Sequence, residues 1–161
     1  MPGRASDNIR DSQLLSAAVK LVRKSTGLSS REVARKMHIA LRTYQRFEGG
    51  LNRLNLDHIH RFAKATSSDP YALLIAVMIG APRFALNAAN NNLATILMVA
   101  VQNLEESLGD RIAELETRDL ISAITKPFDA LAAQVLATDP SAEWLARGRT
   151  NLNIRRPTPG R

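Results

Sequence analysis

Apolar residues recur every three or four positions along most of this chain, the spacing of helices with one buried face. Leu14, Leu15, Ala18, Val19 and Val22 mark a first helix over residues 11–26. Residues 29–50, SSREVARKMHIALRTYQRFEGG, divide into two short helices joined by a tight turn. Ser29 and Glu32 have the S-x-x-E spacing of a capping box, which starts a helix by satisfying its free amide groups. Val33 and Met37 form the inner stripe of that helix, and small Ala34 beside them lets another helix cross closely. Ile39, Tyr44 and Phe47 continue the pattern in the second helix. Gly49-Gly50 end it, since glycine takes left-handed backbone angles cheaply. Leu41, Arg42, Thr43, Gln45 and Arg46 fall between the apolar positions and face outward.

A polar loop with Arg53 follows, and then a helix burying Leu56, Ile59, Phe62 and Ala63. Asp69-Pro70 is a cap followed by proline at the first helical position, so a fifth helix is expected through Ile79, with Tyr71, Leu74, Ile75 and Met78 inward. Gly80-Ala81-Pro82 and the polar NAANNN stretch read as a linker over 80–92. Beyond it Leu93, Ile96, Leu97, Ala100, Val101, Leu104 and Leu108 form one apolar face. A helix from Asp110 to Thr125 carries Ile112, Leu115, Leu120, Ile121 and Ile124, and Pro127 is expected to end or kink it. Phe128, Leu131, Val135 and Leu136 extend a third segment. Asp139-Pro140 starts a short turn with Trp144 as a packing anchor.

The spacing of residues 13–79 resembles the Cro/cI-like (XRE) helix-turn-helix family. Gly27-Leu28-Ser29 looks like that family's link between its first two helices, and Ala34 falls on its small residue. Thr43-Tyr44-Gln45-Arg46-Phe47-Glu48 is similar to its T-I-S-R-I-E run. His38 departs from the usual turn glycine, although histidine tolerates left-handed geometry better than most residues. Ala40 replaces the usual capping Ser or Thr, which removes one phosphate contact. The resemblance implies an all-α fold, a five-helix lambda-repressor-like DNA-binding domain followed by a helical C-terminal dimerisation region. It assigns base contacts to Leu41, Arg42, Gln45 and Arg46, and phosphate contacts to Ser30, Thr43 and Arg53. It also pairs Arg23 with Glu48 as a structural ion pair that orients the recognition helix.

Charge is segregated in the same direction. The net charge is +7, but residues 1–66 hold thirteen Lys/Arg against five Asp/Glu. Residues 67–146 hold four against ten, and residues 147–161 hold five arginines and no acid. A basic module followed by an acidic one indicates that the first meets a polyanion. The expected organisation is a flexible basic arm (1–10), a DNA-binding domain (11–79), a linker (80–92), a helical dimerisation region (93–146) and a disordered basic tail (147–161). The region past 92 is too small to bury its stripes alone. Leu93, Ile96, Leu97, Val101, Leu104, Leu108, Ile121, Ile124, Phe128, Leu131 and Val135 are therefore assigned to a homodimer interface.

Other chemistry finds little support. The chain has no cysteine, which excludes disulfides and zinc fingers of the usual kind. His58 and His60 lie two apart and point in different directions on a helix, so no metal site is expected. No cofactor and no enzymatic activity are expected either. No run of eighteen apolar residues suggests a transmembrane helix, and the N-terminus lacks a signal-peptide core. The expectation is a cytoplasmic transcription regulator of double-stranded DNA, a homodimeric repressor on a palindromic operator. The alternative is an antitoxin-like module whose acidic C-terminal helices bind a protein partner.

Overall fold

The computed structural model describes residues 3–137 and 140–154, and every regular element among them is helical. The chain divides into two compact units, Met1–Gly109 and Asp110–Arg161.

The first unit begins with α1, Gly3–Thr26, which starts well before the expected residue 11. Nothing between Arg4 and Arg10 breaks a helix, so the segment expected as a flexible arm extends α1 instead. Two short helices follow, α2 (Ser30–Lys36) and α3 (Leu41–Glu48), and then α4 (Leu56–Thr66) and α5 (Pro70–Met78). Leu15, Ala18, Val19 and Val22 of α1 meet Val33, Ala34, Met37, Tyr44, Phe47, Ile59 and Phe62 in one core. The expected apolar positions of α1 to α4 are inside, apart from Leu14 and Ile39, which are half-buried (Ile39 in the turn before α3), and Leu56, which is exposed.

Helix α5 presents a different face from the expected one. Ala72, Leu73, Ala76 and Val77 are its buried residues, whereas Met78 is 83% exposed and Tyr71, Leu74 and Ile75 are half-buried. The sequence PYALLIAVM is apolar nearly all round, so its pattern does not select a side; its neighbours do.

One of those neighbours is α6, Pro82–Asn87, in the stretch expected to be a linker. Gly80, with φ 69°, does end α5, but Pro82 sits at the first position of the next helix and starts it. Ala85, Ala88 and Ala89 are buried, and Asp69 N donates to Ala89 O at 2.9 Å. Helix α7, Leu93–Leu108, then begins inside the same unit, with Ala94 packed against Ala72 and Ala88. The division between units therefore falls at Gly109 rather than over 80–92. Small alanines allow these helices to approach closely.

The second unit holds a 3₁₀ turn, Gly109–Glu114 (which opens at the boundary), α8 (Thr117–Leu136) and α9 (Pro140–Ile154). The helix expected over Asp110–Thr125 is interrupted before Thr117. Helix α8 runs through Pro127, so the proline does not end it. Residues 147–154 of the expected disordered tail are helical, and residues 155–161 lie outside the described residues. Trp144 is 71% exposed, so it anchors no core within this unit. Within Thr117–Leu152 one window of 18 residues is apolar enough, by length and composition, to cross a membrane, with a mean hydropathy of 1.2, although no such stretch was expected. Lys126 and Asp129 lie within it, and such charges cost about 2.5–3.5 kcal/mol each at a bilayer centre.

Gly50 has φ 69°, and a Cβ there would meet Ser12 O of α1 at 2.6 Å. Gly27 has φ 70° but open space around it. Gly27→Ala is expected to cost about 1–2 kcal/mol, the left-handed penalty alone. Gly50→Ala should cost more, because α1 must also move. Denaturant unfolding of both variants checks the order.

Candidate nucleic-acid interface

The outward face of α3 is fixed by what lies behind it. Ser29 and Glu32 form the expected capping box at the start of α2: Glu32 N donates to Ser29 Oγ at 3.2 Å and Ser29 N to Glu32 Oε2 at 2.8 Å. The turn to α3 passes through His38 in the left-handed region, with φ 55°. Ala40 stands at the start of α3 without a side-chain cap, which leaves the first amides of that helix uncovered on its solvent end. Gly50, not Gly49, takes the left-handed angle that ends the segment.

Tyr44 and Phe47 turn inward, and Arg42, Gln45 and Arg46 stand exposed on the other side. Arg46 Nε reaches Asn52 Oδ1 at 3.4 Å, which holds it beside the following loop. Arg53 is exposed on that loop. Leu41 and Thr43 are half-buried; Leu41 leans on the core and offers only part of its surface.

Glu48 is the junction of the site. Its carboxylate accepts from Arg23 Nε at 2.5 Å, from Tyr44 Oη at 3.1 Å and from Ser30 Oγ at 3.3 Å. Its main-chain carbonyl accepts from Ser16 Oγ at 2.6 Å, and Arg23 also donates to Leu28 O at 3.0 Å. The Arg23–Glu48 pair is thus present and largely buried. Ser30, assigned to a phosphate, directs its hydroxyl to this carboxylate instead, because a buried anion draws every donor within reach. The contributions of Ser16 and Tyr44 were not anticipated: isolated hydroxyls carry no periodic signal.

Electrostatics follow from these contacts. Hydrogen bonding to Glu48 raises Arg23 above its ordinary value against the opposing effect of burial. Burial, reinforced by the Glu48 charge, pushes the Tyr44 phenol well above its ordinary value. Hydrogen bonds from Ser29 hold Glu32 below the usual carboxylate range.

The histidines do not converge. His38 is exposed in the turn, His58 sits edge-on to Phe47 at 5.6 Å, and His60 sits edge-on to Tyr71 at 5.8 Å. Packing on Phe47 leaves His58 Nδ1 buried without a hydrogen-bond partner among the described residues. Among those residues no group of three metal-ligating side chains is found. Asn55, whose side chain accepts from His58 N at 3.2 Å, caps α4; an Asn just before a helix is a cap signature that sequence reading had available. Comparison with protein-family models, curated proteins and solved structures finds no match for this chain.

Glu48→Ala leaves Arg23 without its ion-pair partner, and it is expected to cost about 3–5 kcal/mol. Thermal melting of the variant checks this, and a wild-type melting temperature would show that the junction stabilises nothing.

Two titrations follow from the shifted groups. A phenol raised in the fold adds stability that is complete below its unfolded value, about pH 10, and lost as pH climbs through the folded value. Tyr44 should therefore ionise only as the protein unfolds, read as a late absorbance change that Tyr44→Phe removes. Glu32 has the opposite sign: its contribution is present above the ordinary carboxylate range and lost as pH falls through its lowered value. NMR titration should place Glu32 low, and Ser29→Ala should return it toward the ordinary range.

Proposed function

We propose that this chain is a sequence-specific double-stranded DNA-binding regulator of the Cro/cI-like helix-turn-helix kind. Residues 11–79 would supply a lambda-repressor-like DNA-binding domain, and the protein would act in the cytoplasm as a homodimeric repressor. The observation that carries this reading is the exposure of Arg42, Gln45 and Arg46 together on α3, a helix whose opposite side is clamped to α1 and α2 through Glu48. Arginine suits bidentate contact with guanine, and glutamine with adenine. Residues 1–66 carry a surplus of eight positive charges, which favours contact with phosphate. Arg53 and Thr43 serve as phosphate contacts, Leu41 offers a partial apolar contact to a thymine methyl, and Ser30 is released from that role by its bond to Glu48. Binding over a promoter blocks polymerase without further machinery, which favours repression.

Selection of bound duplexes from a random pool by the full chain tests the reading. A two-fold symmetric enriched sequence is expected; an unenriched pool would remove it. On the selected site Arg42→Ala and Arg46→Ala should each cost about 1–3 kcal/mol while the fold stays intact. Competition with a scrambled duplex separates base reading from phosphate binding, since equal losses on both would leave only the latter. A tightly co-purifying second polypeptide, with no duplex enriched, would favour the antitoxin-like alternative.

A further inference from the structure

Helix α9 carries a narrow apolar strip with a cation on each margin. Trp144 and Leu152 are each 71% exposed, and Leu145 is 46% exposed. At about 100° per residue the three fall within an arc of about 100°, which the small residues Ser141 and Gly148 share. Arg147 stands about 60° beyond one edge and Arg149 about 40° beyond the other, while Glu143 lies on the far side. Both arginines are exposed, and Arg147 Nε donates to the main-chain oxygen of Glu143 at 3.4 Å. Among the described residues no carboxylate pairs with either. The charge continues along the sequence, since residues 147–161 hold five arginines and no acid.

These features discriminate between partners. Nucleic-acid phosphates would engage the arginines and leave Trp144 and both leucines in water. A second copy laid on the strip would bring four arginines together with no acid to meet them, and like charges in contact oppose association. An anionic bilayer surface satisfies both halves of the pattern. The apolar strip enters the boundary between headgroups and acyl chains, a depth that suits the tryptophan ring. The arginine stems reach sideways, so that their guanidinium groups stay among the lipid phosphates. A helix lying flat uses one face only, and Glu143 remains in water.

We propose that α9 docks on a membrane surface rich in anionic lipid, with Trp144, Leu145 and Leu152 entering it and Arg147 and Arg149 holding it. The docking uses none of the residues assigned to DNA or to the homodimer, and it stands independently of both.

Trp144 is the only tryptophan of the chain, so its emission reports on this strip alone. The full chain is titrated with vesicles of phosphatidylcholine alone and of phosphatidylcholine mixed with phosphatidylglycerol. Only the mixed vesicles should shift the emission to the blue, and lipids brominated in their acyl chains should quench it. Arg147→Gln with Arg149→Gln should weaken partition roughly tenfold or more at unchanged helix content. Leu152→Glu should remove the shift. Vesicles that bind with the Trp144 emission unmoved would show that the basic first unit alone attracts them, and would overturn the proposal. So would an equal shift on both kinds of vesicle, or a partition indifferent to the arginine pair. Emission that moves with a DNA duplex or with protein concentration, and not with lipid, would assign the strip to nucleic acid or to a second copy instead.

Discussion

The orientation of α3 depends on a single buried carboxylate. Glu48 draws donors from three helices: Arg23 of α1, Ser30 of α2 and Tyr44 of its own helix, with Ser16 of α1 on its carbonyl. An unpartnered carboxylate in that position would cost several kcal/mol, so the arrangement holds only when all three helices are in place. Turning α3 by one residue, about 100°, would break these bonds and bring Tyr44 and Phe47 into water. The outward face is therefore a consequence of the inward one. Arg42, Gln45 and Arg46 point away from the core because Tyr44, Phe47 and Glu48 cannot.

Asp69 does related work with different partners. Among the described residues no cation pairs with it; its donors are backbone amides at the starts of α5 and α7 and the Thr95 hydroxyl. Helix N-termini supply the positive potential that an arginine supplies at Glu48. The consequence also differs. Glu48 orients one helix within the core, whereas Asp69 attaches a helix that extends beyond it.

Sequence reading succeeded where a position has few alternatives. The Ser29–Glu32 box, the left-handed turn at His38 and the Asp69-Pro70 start each reflect a backbone requirement that few residues meet. It failed where the pattern is degenerate. Helix α5 is apolar on every side, so the inward choice of Leu73 and Val77 over Leu74 and Met78 rests on α1 and α6. Helix α6 escaped notice because the buried residues in and just after it are Ala85, Ala88 and Ala89, which pack by being small and weigh little in an apolar stripe. At the candidate site, Arg42, Gln45 and Arg46 follow from periodicity, and Arg23–Glu48 followed only from resemblance. The turning of Ser30 toward Glu48 depends on a burial that spacing does not encode.

Burial stops at Ala94 among the described residues, while helices continue to Ile154. From Ile96 to Leu152, fifteen large apolar side chains stand exposed, more than isolated helices of this length tolerate in water. On α8 the residues Ile121, Ile124, Phe128, Leu131 and Val135 follow the three-four spacing of a helical seam, all of them exposed. Ordering a residue costs about 1–2 kcal/mol of backbone entropy, and only apolar burial offsets a cost of that size over whole helices. The first unit meets this cost from its own core. In the proposed homodimer the exposed seam of α8 would meet this cost across copies rather than within one chain.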